Sequence, residues 1–191
     1  MPPRFYLIRH GETEWSLAGR HTSRTDIPLT EQGERDARQL GERLRAASIT
    51  RVFTSPRQRA QRTAALVGLT PVAEIEPDLA EWDYGDYEGQ LSVDIRKGRP
   101  DWNLFRDGCP GGELPAQVSD RADRLIARLR ALDGNIALFS HGHFGCVLGV
   151  RWIGLPVIEA RHFLFGTASL SILGYEPTYP EVPVITRWNS S

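Results

Sequence analysis

Phe5-Tyr6-Leu7-Ile8-Arg9-His10-Gly11-Glu12 decides how this chain folds. Four apolar residues break off into a cation, an imidazole, a glycine and an acid, the pattern of a short strand buried on both faces that delivers polar groups at its C-terminal end. The pattern returns at Ile136-Ala137-Leu138-Phe139-Ser140-His141-Gly142-His143, where an apolar helix is predicted to follow, to about residue 153. Between the two, Thr30 can cap a helix that places Ala37, Leu40, Leu44 and Ala47 on one face. Residues 49–54 read as a second strand, with Ser55 as N-cap and Pro56 as first residue of a helix running to about Val67. Residues 72–75 read as a third strand. Val118, Ala122, Leu125, Ile126, Leu129 and Leu132 form the stripe of a further helix that Gly134 stops. Residues 168–173 and 182–188 complete the set, the last as an edge strand. Strands alternating with helices predict a single α/β domain over residues 1–191, a three-layer sandwich with a mostly parallel central sheet and helices on both faces. Such sheets bind ligands beyond the carboxyl ends of their strands, so His10 and His141 are expected to converge.

Composition narrows the partners. With 24 acidic and 23 basic residues the formal net charge is -1, and no overall field draws the chain to nucleic acid or to an anionic membrane. Lys97 is the single lysine; the other cations are arginines, whose planar forks suit phosphate and carboxylate. Cys109 and Cys146 lack C-x-x-C spacing, which argues against a zinc knuckle or a dithiol redox motif and for free thiols in a reducing cytoplasm. Met1-Pro2-Pro3-Arg4 leads into the first strand without an apolar leader, and no stretch approaches the roughly 20 apolar residues that cross a bilayer. The expectation is a cytoplasmic protein acting on a small molecule, with neither nucleic-acid nor membrane partners.

Chemistry concentrates in a few segments. Arg9-His10-Gly11-Glu12-Thr13 sets a nucleophile-capable imidazole beside a permanent cation and a glycine that lets phosphate approach the backbone. Alone, a histidine after a strand is more often a hydrogen-bonded structural residue. Ser55-Pro56-Arg57-Gln58-Arg59-Ala60-Gln61-Arg62-Thr63 adds weight, because Arg59 is expected one turn inside a helix whose N-terminus favours anions, with Arg62 on the same face. Residues 77–89 are expected to form an acidic, aromatic loop, and among four of its acids, Glu81, Asp83, Asp86 and Glu88, spacing does not choose. Residues 82–117 are interrupted by Pro100, Pro110, Gly111, Gly112 and Pro115, and are expected to form a lid or substrate region. Arg96, Lys97, Arg99 and Arg106 there could grip a second anion, or simply be solvated.

Taken in order, Arg9-His10-Gly11-Glu12-Thr13-Glu14-Trp15, Leu29-Thr30, Thr54-Ser55-Pro56 through Arg59-Ala60, and Ser140-His141-Gly142 resemble the histidine phosphatase superfamily, the clan of cofactor-dependent phosphoglycerate mutases. The resemblance spans residues 4 to about 155. It implies His10 as nucleophile, Arg9, Arg59 and His141 as the pocket around the phosphoryl group, and Glu81 as proton donor. It also implies Ser16, Thr22, Ser23 and His143 as substrate contacts, with no metal and no other cofactor. Ser16 stands where the mutases usually have asparagine, which weakens an inference of phosphoglycerate specificity.

The short interval between Glu81 and His141 favours hydrolysis over mutase chemistry, since water reaches a phosphohistidine more easily under a small lid. Trp15-Ser16, Trp82 through Gly89, Asp107 through Glu113 and Gly142-His143 look like the sedoheptulose-bisphosphatase-type sugar phosphatases. The expected activity is therefore hydrolysis of small phosphorylated metabolites, sugar phosphates among them, through a phosphohistidine at His10. A Glu81 that starts protonated implies an acidic to neutral optimum. The alternatives are a phosphoglycerate mutase, a metal-dependent hydrolase using His10, Glu12, His141 and His143, and a non-catalytic phosphate-binding module.

Overall fold

The computed structural model describes residues 3–69 and 71–191; Met1 and Pro2, on which the expectation about the N-terminal stretch partly falls, and Thr70 lie outside them. In chain order the elements are β1 (Phe5–Arg9), α1 (Glu14–Leu17), α2 (Glu31–Leu44), β2 (Ile49–Thr54), α3 (Gln58–Val67), β3 (Glu74–Ile75), α4 (Ser92–Gly98), α5 (Leu104–Asp107), α6 (Pro115–Arg130), β4 (Asn135–Ser140), α7 (Gly142–Trp152), β5 (Leu170–Tyr175) and β6 (Pro183–Ser190). Alternation along β1 explains the layers. Phe5 and Leu7 enter one apolar cluster with Leu125, Leu129, Val147, Leu148 and Trp152 of α6 and α7. Tyr6 and Ile8 enter another with Leu40, Leu44, Ala60, Ala64 and Val67 of α2 and α3. A strand covered on both faces needs apolar residues at every position, which is why this run carries no polar alternation.

The sheet runs β3-β2-β4-β1-β5-β6. The first four strands are parallel, and β5 and β6 are antiparallel additions, so the sheet is mixed. The expected strands and helices recur with shifted bounds, β5 at Leu170–Tyr175 against 168–173 and α2 ending at Leu44 short of Ala47. The third strand shrinks to two residues. α6 opens three residues before Val118, at Pro115, a residue suited to a first helical turn. α3 starts at Gln58 with Arg57 at the cap, not Ser55. Ser55 remains tied to the sheet, its N–H donating to the Phe139 carbonyl (2.9 Å). Residues 82–117 are short pieces as expected, but Trp82, Tyr84, Trp102, Leu104 and Phe105 are buried in the larger core, so the region is a packed wall.

Candidate active site

β1 and β4 are hydrogen-bonded parallel neighbours with Arg9 opposite Ser140, so the next residue on each strand is a histidine. The rings of His10 and His141 meet edge to face with centroids 5.1 Å apart. The turn after β1 is fastened on two sides. The Gly11 N–H donates to Thr63 Oγ1 (2.9 Å), whose hydroxyl donates to the Arg59 carbonyl (2.7 Å), linking the turn to α3. On the other side a Cβ on Gly11 would fall 2.5 Å from the Gly33 carbonyl oxygen, and one on Gly33 would fall 2.3 Å from that of Glu12. Gly11 thus admits the start of α2, a need distinct from phosphate approach.

His10 Nδ1 lies 2.7 Å from its neighbour's carbonyl at Gly11. A proton held there leaves Nε2 with a free lone pair. Burial, and then the cations Arg59 and Arg9, hold the His10 pKa well below its usual value, so the ring stays neutral. His141 is shifted in the same direction, by burial first and then by Arg59, His10 and Arg9. Its Nε2 lies 2.7 Å from Ser55 Oγ. Arg59 is wholly buried; its Nη1 donates to the Thr25 carbonyl (3.1 Å) and its Nη2 to those of Thr22 (3.0 Å) and Ser23 (3.2 Å). Arg9 Nη1 donates to the Phe165 carbonyl (2.5 Å), and Gly142 makes room for it, a Cβ there falling 3.2 Å from Cζ. Burial lowers the pKa of both arginines against the opposing charge of Glu81.

Among the described residues, Arg9 Nε, Arg57 Nε, Arg59 Nε, His141 Nδ1 and, in the outer wall, His21 Nδ1 are buried without a hydrogen-bond partner. Each such atom costs roughly 1–3 kcal/mol when left unmet. The concentration of the arginine and His141 nitrogens around the two facing imidazoles marks an anion site, because phosphoryl oxygens supply the missing acceptors.

A cavity of about 300 Å³ opens from Arg9 and His10, lined also by Glu81, Ser16, Thr22, His21, Tyr84 and His143. Of the four candidate acids, only Glu81 is in that lining. Its Oε1 accepts from the N–H groups of Trp82 (2.8 Å) and Phe144 (2.7 Å), and its Oε2 from that of His143 (3.1 Å), at the start of α7. Asp83 binds Arg24 and the Gly85 N–H, while Glu88 accepts from Ser23 and Thr25.

The outer wall is aromatic and neutral. Tyr84 Oη and His143 Nδ1 are 2.6 Å apart. Burial raises the Tyr84 pKa well above that of an ordinary phenol, so its hydroxyl keeps a proton to donate. His21 stacks on Tyr84 at 4.6 Å, and burial pulls His21 and His143 each down to about 4.

Several expected residues land differently. Arg59 and His141 touch the site from behind, outside the cavity lining. The Ser16 hydroxyl is taken up by the Thr13 backbone, and that of Thr22 by the Arg20 carbonyl. Ser23 is buried off the cavity, its carbonyl serving Arg59. Arg62 is half-exposed and paired with Glu34, so it does not share the buried face of Arg59. Lys97 and Arg106 pair with acids, Arg99 donates to the Tyr87 hydroxyl and Arg96 to the Trp102 carbonyl; the second cation in the lining is Arg20. Among the described residues no group of three His, Cys, Asp or Glu is placed to hold a metal, and Glu12 accepts from Thr30 Oγ1 (2.8 Å). No described helix is long and apolar enough to cross a membrane.

Residues 5–190 match the family model described as histidine phosphatase superfamily (branch 1). The chain belongs to the histidine phosphatase superfamily. It is 44% identical to an acid phosphatase of Mycobacterium tuberculosis over 186 residues, covering 95% of this chain and 91% of that one. A sedoheptulose 1,7-bisphosphatase of Saccharomyces cerevisiae is 38% identical over 190 residues, covering 82% and 70%. The solved structure of the open reading frame Rv3214 of Mycobacterium tuberculosis superposes with a TM-score of 0.92 at 41% identity, covering 98% of this chain and 97% of that one. The α-ribazole phosphatase of Shigella flexneri gives 0.85 at 30% identity, covering 98% and 96%. The protein is accordingly a histidine phosphatase acting on small phosphorylated metabolites. Sequence patterns in this histidine phosphatase passed over Ser55 as a partner of His141, Thr63 as the stitch to Gly11, and His21, Tyr84 and Arg57. Arg57 sits inside a motif read for its neighbour, and His21 lies directly before Thr22, so position was the available signal.

Proposed function

We propose that His10 Nε2 attacks the phosphorus of a phosphomonoester while Arg9 and Arg59 neutralise its oxygens and His141 donates a hydrogen bond to one of them, and that Glu81 protonates the departing alkoxide. The P–O bond to the leaving group breaks as the N–P bond forms. Water then attacks the phosphohistidine, giving its proton to the Glu81 carboxylate, and phosphate leaves with His10 restored. The observation that carries this reading is the neutral His10 ring beside a cluster of buried, unpartnered donors. Fixed guanidinium groups stabilise the equatorial charge of the transferring phosphoryl group without reorganising. In the acid step the proton belongs on Glu81 Oε2, which accepts the single, longer backbone bond.

The neutral wall of His21, Tyr84 and His143 suits a leaving group rich in hydroxyls, which supports sugar phosphates as the substrate class. Two free thiols, Cys109 and Cys146, fit a reducing, cytoplasmic setting. Quenching in alkaline detergent during turnover of a radiolabelled phosphomonoester tests the chemistry: wild-type protein should retain base-stable phosphate that a later acid treatment releases, and its absence would remove the phosphohistidine. Comparing kcat/KM across sedoheptulose 1,7-bisphosphate, fructose 1,6-bisphosphate, 3-phosphoglycerate and nucleotides tests the substrate class. A flat profile would discard sugar phosphates, and an isomeric product would turn the reading to a mutase.

A further inference from the structure

Arg59 does not hold itself in place. Both of its Nη atoms are committed to three carbonyls, those of Thr22, Ser23 and Thr25, and these belong to one irregular turn without helix or strand pairing of its own. That turn is pinned from its other side by a single carboxylate. Glu88 Oε1 accepts from the N–H of Ser23 (2.9 Å) and of Thr25 (3.0 Å), and Oε2 accepts from the Ser23 N–H as well (3.0 Å). Ser23 therefore stands between the two charges, donating its N–H to Glu88 and lending its carbonyl to Arg59. The peptide units of the turn relay one charge to the other, because a carboxylate on the N–H side polarises the carbonyls on the far side toward the guanidinium.

From this geometry we infer that Glu88 is the positioning residue for Arg59: it fixes the turn whose carbonyls aim the guanidinium, and so sets where Nε meets the phosphoryl group. Glu88 itself lies outside the cavity lining. Nε is the atom of Arg59 left without a partner, and its direction follows once both Nη atoms are anchored. Asp26, 4.0 Å from Nη1, adds charge but accepts from the Gln58 N–H (2.9 Å), so it secures the start of α3 rather than the turn. The inference rests on the assignment of Arg59 to the phosphoryl group.

A double-mutant cycle tests it. Glu88→Ala should lower kcat/KM for p-nitrophenyl phosphate about 30-fold and weaken inhibition by orthovanadate in parallel, as expected when a transition-state contact is displaced. In an Arg59→Lys background, where the forked contacts are already gone, the same change should cost less than about 3-fold. Equal losses in both backgrounds, or Glu88→Ala at the wild-type rate, would overturn the role of Glu88. Arg59→Lys at the wild-type rate would instead overturn the assignment of Arg59. If Glu88→Ala does not fold, Glu88→Gln carries the same cycle. Its one remaining acceptor should give a smaller loss that again vanishes beside Arg59→Lys, and a loss that persists there would count against the inference.

Discussion

The inner and outer halves of the cavity are built on opposite principles. At the inner end Arg9 and Arg59 are held through backbone carbonyls and His141 through the Ser55 hydroxyl, and all three leave nitrogen atoms unmet. At the outer end His21, Tyr84 and His143 are neutral rings that pack on one another, Tyr84 hydrogen-bonded to His143 and His21 to Ser92 Oγ (3.0 Å). The inner half is strained toward an anion and indifferent to what carries it. The outer rings carry no charge and leave one nitrogen, His21 Nδ1, unmet, so they can select only by shape and a few hydrogen bonds. Chemistry and specificity are thus separable, and substitutions in the two halves should produce different kinetic signatures.

The sharpest division comes from His10→Ala, which removes the nucleophile and should lower kcat by about 10⁴-fold or more, with no acid-labile phosphate in quenched enzyme. Arg59→Ala should follow at roughly 10²–10³-fold in kcat, read with p-nitrophenyl phosphate and sugar phosphates alike, because it acts on the transferring group common to both. A loss confined to one substrate would blur the boundary between the halves. His143→Ala belongs to the outer half: a loss of about 10-fold in kcat/KM is expected with sugar phosphates, and a smaller one with the nitrophenyl ester, which offers few hydroxyls. Equal losses on both would place His143 with the inner group.

The smallest effect is on stability. His21 keeps its usual value of 6.5 in the unfolded chain and titrates at about 4 when folded, so below pH 6.5 the unfolded chain binds the extra proton. Stability contributed by this burial is present above 6.5 and drains away in acid, by about 1.4 kcal/mol per pH unit until pH nears 4. His10 and His141 push in the same direction. Urea midpoints between pH 7 and 4.5 should fall steadily, and His21→Phe should flatten that slope; an unchanged slope would mean that His21 is not the group responsible.

The same contrast governs what was legible in the sequence. Strand-to-histidine junctions at His10 and His141 were readable because burial on two faces forces an unbroken apolar run, and adjacent parallel strands bring their ends together. The location of α3 could be read, but not its cap: Ser55 has the chemistry of one, and its hydroxyl is claimed by His141 across 86 positions of chain. Contacts at such range leave no local period. Glu81 could be preferred to its three acidic neighbours only by resemblance, since what distinguishes it is the first turn of α7 arriving from far along the chain. At Ser23 the backbone carries the contacts, its N–H to Glu88 and its carbonyl to Arg59, and residue type gives no sign of that.

The two glycines that interlock where α2 begins make that helix a mechanical extension of the turn bearing His10. With no room for even a methyl group between Gly33 and the backbone of Gly11 and Glu12, α2 cannot tilt or fray at its first turn without carrying the imidazole along. Heating should therefore silence the enzyme at the same temperature at which α2 detaches from the sheet, rather than in a separate, earlier loosening of the cavity.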